Sequence, residues 1–371
     1  MQVLVERSAL LKATGHAQGV VERRNTIPIL SNLLIETVDA GISIKATDLD
    51  IEIIETLPAQ VAREGAVTVS AHMLHEIVRK LPDGAEVSLV SDGDGSLTVS
   101  AGRSRFALQT LPKEDFPVMA SSEFDCSFTA TAVVIRRLFD KAKFAISTEE
   151  TRYYLNGVYF HVAETSGAKT LRAVATDGHR LAQIEAPLPA GADKMADVIV
   201  PRKTVGELRK LLEVDSDEVE ISVSETKIRF SNQGVTLTSK VIDGSFPDYS
   251  RVIPANNTMK LELDADRFAH AVDRVATVSS ERTRAVKMSL DADRLVLSVN
   301  SPDSGSATEE LEVAYSADPI EIGFNSKYLI EIAQQIDDQN AVFMFSDPGS
   351  PTLVREGEDG SAIYVVMPMR V

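Results

Sequence analysis

The sequence predicts an α+β protein of three repeated domains, each with two helices packed on antiparallel sheets. Three observations lead there. Apolar residues recur at helical spacing in some segments and alternate in the stretches between them. An order of helix then strands, done twice, returns three times along the 371 residues. Landmarks of the first two passes keep their spacing: Phe116-Pro117 and Phe246-Pro247 lie 130 residues apart, and the strand-to-helix junctions at Ser70 and Pro201 lie 131 apart. The domains are expected at residues 1–122, 123–254 and 255–371, with linkers at 117–124 and 253–258.

In the first pass, residues 8–24 read as a helix, with Leu10, Ala13, Ala17, Val20 and Val21 on one side and Lys12, His16, Gly19 and Arg23 on the other. Strands follow at 32–37, 42–47, 51–57 and 67–70, then a helix at 71–81 stopped by Pro82-Asp83-Gly84. A hairpin at 87–90 and 97–101 turns through Asp92-Gly93-Asp94-Gly95, and a strand at 105–110 follows. The second pass has a helix at 132–147, strands from 154 through 186, a strand at 198–200 entering a helix at 201–212, and strands at 219–223, 227–231 and 235–241. The third has a helix at 264–280, strands at 285–290, 294–300 and 309–315, a strand at 320–324 entering a helix at 326–336, and strands at 342–346, 352–356 and 362–367.

One cysteine excludes a disulfide framework and suits a reducing compartment. Neither a signal peptide nor a run of about 18 apolar residues is present, so a cytoplasmic protein without a membrane partner is expected. The net charge of −17 argues against nucleic acid until its distribution is considered. Segments 7–24, 71–80, 131–148, 201–212, 264–284 and 325–337 together carry +9, which leaves −26 for the rest. In the second pass Arg136, Arg137, Lys141 and Lys143 lie opposite an apolar side, as do Arg202, Lys203, Arg209 and Lys210. Cationic helices on an acidic body suit sequence-independent contact with a polyanion.

No catalytic residue, cofactor or metal is expected. Asp177 and His179 could form a carboxylate–imidazole pair, and an enzyme using them on a repeat scaffold is the alternative reading. Its partners are missing: no G-x-S-x-G occurs, and Cys126 has no nucleophile context. His72 and His75 lack further ligands, and Asp92 to Gly95 lacks the twelve-residue calcium pattern. The phosphate-binding G-x-x-x-x-G-K-[ST] is absent, which excludes ATP hydrolysis by that route.

Several strings closely resemble the bacterial DNA polymerase III beta subunit family, the replicative sliding clamps. They are Tyr153-Tyr154-Leu155-Asn156-Gly157, Thr176-Asp177-Gly178-His179-Arg180-Leu181, Val200-Pro201-Arg202-Lys203, Phe246-Pro247-Asp248-Tyr249, Ile322-Gly323-Phe324-Asn325 and Tyr364-Val365-Val366-Met367-Pro368-Met369-Arg370-Val371. The resemblance spans the chain. It implies a DNA clamp fold in which a head-to-tail homodimer closes a six-domain ring around duplex DNA, helices lining the hole. It also implies a non-catalytic processivity factor, opened by an ATP-dependent loader, in the cytoplasm with the nucleoid.

Carried over by position, the implied DNA contacts are Arg24, Arg152, Tyr153 and Tyr154, joined by Arg136, Arg137, Lys141, Arg202, Lys203, Arg209 and Lys210 of the helices. Position 149 is Glu149, where some relatives have a neutral polar residue, and an acid there opposes a phosphate. The implied pocket for partner peptides uses Leu155, Thr176, Gly178, His179, Arg180, Leu181, Pro247 and Val252. From the third domain it uses Asn325, Tyr328, Val365, Val366, Met367, Pro368, Met369 and Arg370. Implied occupants are the polymerase III alpha subunit, the clamp loader delta subunit, and other polymerases and repair proteins, through short motifs with a Leu-Phe anchor. The implied dimer seam pairs Arg103, Arg105, Phe106 and Leu108 with Thr277, Val278 and Glu309 of the next subunit.

Overall fold

The computed structural model describes the chain except residues 24, 40, 120–122, 166, 213–216, 281–283, 338, 358–359 and 371. Two compact units result, one of Met1–Arg136 with Pro189–Ile242, the other of Arg137–Leu188 with Asp243–Val371. The middle repeat therefore divides its strands between them.

Six α-helices occur among the described residues: α1 (Arg7–Val20), α2 (Ala71–Lys80), α3 (Ala132–Asp140), α4 (Arg202–Leu211), α5 (Ala265–Ala276) and α6 (Ser326–Ala333). Polar caps start three of them: Ser70 Oγ accepts from Met73 N, Asp264 from Arg267 N and Asn325 from Lys327 N. Several run shorter than their apolar period. Helix α1 stops at Val20, with Val21 extended. Helix α3 stops at Asp140, and a 3-10 turn at Lys143–Ala145 carries the apolar spacing onward to buried Ala145 and Ile146. An i, i+3 spacing fits both helix types, so the period cannot show where the winding tightens.

A strand that the pattern reading lacks precedes the first helix of each repeat: Gln2–Glu6, Cys126–Thr131 and Met259–Asp264. Each buries alternate side chains, as with Val3 and Val5 or Leu261 and Leu263. That alternation was the available signal.

In the first unit one sheet runs Gln60–Arg63, Gln2–Glu6, Glu86–Val90, Ser96–Ala101, Ser104–Gln109. A second runs Cys126–Thr131, Glu218–Val223, Lys227–Asn232, Val235–Lys240, Ile51–Pro58, Gly41–Thr47, Asn32–Val38, Ala66–Ser70. It crosses from the second repeat to the first where Leu237 pairs with Ile53, antiparallel. In the second unit Gly157–Thr165, Ala168–Thr176 and Arg180–Pro187 continue into Ala362–Val366, Thr352–Glu356, Asn340–Phe345, Met259–Asp264 and Ala314–Tyr315. Here the crossing is Leu181 against Val365, again antiparallel. A further sheet runs Gly305–Glu312, Arg294–Ser301, Ala285–Asp291, Ile320–Asn325.

One rule covers both crossings. The last strand of the three-strand run after a repeat's first helix pairs with the last strand of the run after the following repeat's second helix.

Candidate peptide groove and cationic faces

A groove of about 350 Å³ opens in the second unit. Its floor is apolar: Leu155, Leu181, Tyr249 and Val365 are buried there. Val252 and Met367 stand exposed on its rim with Pro247, and Thr176, Gly178, His179 and Arg180 form one wall. The crossing of sheets builds this floor, because pairing Leu181 with Val365 sets both side chains on one face.

The wall is a tight turn. Thr176 Oγ1 donates to the Arg180 carbonyl at 2.7 Å, and Asp177 Oδ1 accepts the amides of His179 and Arg180 at 2.9 and 3.0 Å. Gly178 sits at φ 89°, a left-handed position that favours glycine. The Asp177 carboxylate thus orders backbone rather than the His179 imidazole, which stacks on Tyr328 with centroids 6.4 Å apart. Asp177 and His179 therefore do not form the carboxylate–imidazole pair of the alternative reading.

Arg180 is only 7% exposed. Its Nε donates to Asp177 Oδ2 at 3.1 Å, Nη2 to the Phe144 carbonyl at 2.7 Å, and Nη1 to Glu331 of α6. Its guanidinium lies 4.4 Å from the Tyr328 ring centroid and 5.0 Å from that of Phe144. Partners at edges and faces together offset the cost of burying this charge. Burial raises the Tyr328 hydroxyl above its ordinary pKa, with Asp177 adding to the rise. Behind the floor, Tyr249 is held by His161 Nε2 at 3.0 Å and by Arg172 Nη1, which donates to its hydroxyl at 3.2 Å.

Some residues expected in the groove stand elsewhere. Val366 alternates to the opposite face from Val365, and the Asn325 side chain is spent on capping α6. Tyr328 packs behind Arg180, and Met369 N bonds to the Gly323 carbonyl at 2.9 Å. Pro368 is half-buried and Arg370 exposed, neither lining the cavity. Sequence reasoning missed Tyr249 and Asp248 as lining residues, although Phe246-Pro247-Asp248-Tyr249 had been singled out. It also gave Arg152 and Tyr154 to DNA alone, whereas both line the groove.

The cationic helices differ from their periodic pattern. Lys141 corrects it outright: 6% exposed, its ammonium lies 2.6 Å from Asp337 and 2.8 Å from Glu356. Helix α3 has ended one residue earlier, and the side chain turns to those two acids. Arg136 donates to the Leu212 carbonyl at 3.3 Å, and Arg137 to the Glu185 carbonyl and to Ser361 Oγ. Lys203 bridges α4 to the end of α1, donating to the Val20 carbonyl at 2.7 Å and to Glu22 and Asp48 at 2.6 Å. Lys210 meets both oxygens of Glu207 at 2.8 Å. Arg202 and Arg209 are exposed on α4, and Tyr153 is exposed with its ring edge-on to Tyr154. His16, expected on the polar side of α1, is instead buried at 2.8 Å from Glu55. Arg24 and Val371 lie outside the described residues.

At the sheet edges, Phe106 and Leu108 are half-buried on Ser104–Gln109, with Arg103 and Arg105 exposed. On the Gly305–Glu312 edge Glu309 already holds Arg274, whose Nε is 3.0 Å from Oε2, so it is not an unoccupied acid. Thr277 is exposed and Val278 half-buried at the end of α5. Among the described residues no cluster of three or more His, Cys, Asp or Glu could hold a metal, and no helix is long and apolar enough to cross a membrane.

These features define a class: a repeat scaffold that presents a peptide-sized apolar groove and cationic helices. Comparison with known proteins gives the family. The N-terminal, central and C-terminal domain models of the DNA polymerase III beta subunit match residues 1–120, 130–248 and 250–370. The beta sliding clamp of Caulobacter vibrioides is 54% identical and that of Escherichia coli K12 38%, each with all of both chains covered. The crystal structure of the Bartonella birtlesii sliding clamp bound to griselimycin is 50% identical, with a TM-score of 0.96 and full coverage of both chains. The chain belongs to the DNA polymerase III beta subunit family. It is a sliding clamp of DNA replication, a processivity factor with no catalysis of its own.

Proposed function

We propose that two copies close head to tail into a ring around duplex DNA and seat short partner peptides in the groove. The observation that carries this reading is the rule of sheet crossing. Applied once more, it calls for Gly305–Glu312 to pair with Ser104–Gln109, and within the chain each has a hydrogen-bonded neighbour on one side only among the described strands. A second copy supplies the missing neighbour on each, which relieves two exposed edges at once. Charge supports it: Arg103 and Arg105 flank one edge, Glu309, Glu310 and Glu312 the other, with Arg274 and Arg294 sharing two of those acids. The boundaries proposed for the three domains are 122/123 and 254/255.

A ring lets weak phosphate contacts from Arg202, Arg209, Tyr153 and their neighbours suffice, since topology supplies retention. The groove takes a Leu-Phe anchor on its apolar floor, with the Thr176–Arg180 turn fixing an extended backbone. The proposed occupants are the polymerase III alpha subunit, the loader's delta subunit, and other polymerases and repair proteins. The proposed location is the cytoplasm, at the nucleoid.

The test loads the protein with a loader and ATP onto nicked circular DNA and onto the same DNA linearised. Retention on the circle with loss from the free ends is expected. Equal loss from both would overturn the ring and return the sheet edges to ordinary surface.

A further inference from the structure

The segment between α3 and the groove holds a pair, Glu149 and Arg152, of which only the arginine is accounted for by the groove lining or the expected DNA contacts. Arg152 presents two nitrogens to one carboxylate: Nε to Glu149 Oε2 at 2.8 Å and Nη2 to Oε1 at 2.7 Å. This fork is how a guanidinium meets a carboxylate or a phosphate. The same Nη2 donates to the Asp177 carbonyl at 3.0 Å, in the groove wall.

The backbone is shaped for this arrangement. Within the 3-10 segment Glu150–Leu155, Arg152 alone leaves helical geometry, at φ −110° and ψ 51°. Glu149 N donates to Ser147 Oγ at 3.1 Å, and Ser147 N to the Leu155 carbonyl at 3.0 Å, which fixes both ends of the loop. Opposite, a Cβ at Gly178 would stand 2.5 Å from Arg152 Nη1. The guanidinium therefore lies on the bare backbone of the groove's turn, and a side chain at this left-handed position would push it aside.

We infer that Glu149 occupies the place of a DNA phosphate on Arg152 and thereby assigns that arginine to the rim of the peptide groove. A phosphate would have to displace a bidentate carboxylate already in contact. The hydrogen bond from Arg152 also holds the Glu149 carboxyl below its ordinary pKa, so the pair stays charged through the neutral range. Because both side chains reach solvent, each effect is modest. The inference rests on the proposed groove and DNA contact, and it names which of the two Arg152 serves.

The test uses the full-length protein and the variants Glu149→Gln and Arg152→Ala, with unchanged thermal melting as the control for folding. Each is titrated with a labelled short duplex over a range of salt, and with a labelled peptide ending in Leu-Phe. Glu149→Gln is expected to steepen the slope of log affinity against log salt by about 0.9, the value of one added phosphate contact. It should weaken the peptide by about two- to fivefold. Arg152→Ala is expected to weaken the peptide more and to leave the salt slope at the wild-type value. A shallower slope in Arg152→Ala, or a Glu149→Gln variant unchanged in both titrations, overturns the inference. Failure of the wild-type protein to bind either probe would instead count against the proposed function.

Discussion

Two regions of this molecule hold a cation among acids, and they do so in different ways. In the groove, Arg180 is buried with its guanidinium over the Tyr328 and Phe144 rings and hydrogen-bonded to Asp177, Glu331 and a carbonyl. At the junction of α1 and α4, Lys203 keeps a third of its side chain in solvent while it reaches Glu22, Asp48 and the last carbonyl of α1. A guanidinium offers flat faces and a fixed fork, so it can serve as a wall of a binding site; an ammonium is a compact point charge and serves as a tether. The difference separates a residue that shapes a ligand site from one that joins two repeats.

The sharpest way to break the comparison is at Arg180. In Arg180→Ala the carboxylates of Asp177 and Glu331 lose their buried partner, which costs about 3–5 kcal/mol by precedent for broken buried pairs. A fall of that size in urea-unfolding stability is expected, with loss of peptide binding. Glu331→Gln keeps the shape but removes the charge, so it should weaken the peptide without abolishing it. Combined with Arg180→Ala it should add nothing to the loss of peptide affinity, since Glu331 acts there through Arg180. Additive losses would mean that Glu331 has an independent role.

Lys203→Met tests the tether. Its acids stay partly in water and can rehydrate, so the cost should be about 1 kcal/mol in unfolding free energy. Peptide affinity should not move. A change in the groove's affinity would show that the distinction between wall and tether is false.

The same two regions show how much the sequence disclosed. Repeat spacing and helix and strand order were legible because they follow local period and turn chemistry, whereas the groove strings, Thr176 to Leu181 among them, were legible as a groove only through the family resemblance. The fate of the cations was not. Helical period assigns Lys141 and Lys203 to a polar side, but their acids come from Asp337, Glu356, Glu22 and Asp48, far away in sequence. His16 failed for the same reason, since Glu55 arrives on a strand that packs on α1. Nor could periodicity show that the sheets cross the repeat boundaries: an alternating strand reveals its buried face and leaves its neighbour unnamed.

The smallest expected effect lies with another buried polar side chain of the first unit. His75 of α2 packs against α1, where its Nδ1 is 3.2 Å from the Thr14 hydroxyl and a Cβ on Gly15 would lie 3.6 Å from its Cε1. Burial lowers its pKa from the ordinary 6.5, the nearby Glu76 opposing the shift. A lowered folded-state value means the unfolded chain takes up the proton first, so stability is full above pH 6.5 and declines as the pH falls through the folded value. The acids held by ion pairs, such as Glu76 and Glu309, are held below an ordinary 4.5, whereas burial raises Glu52 above it, so the part due to the histidine is read from the difference between wild type and His75→Leu. Urea midpoints measured at neutral pH and at about pH 5.5 should fall in the wild-type protein and fall less in His75→Leu. Thr14 keeps its bond to the Leu10 carbonyl at 2.7 Å in that variant, so no hydroxyl is stranded. Equal declines in both proteins would place the acid sensitivity in other groups and leave His75 as packing alone.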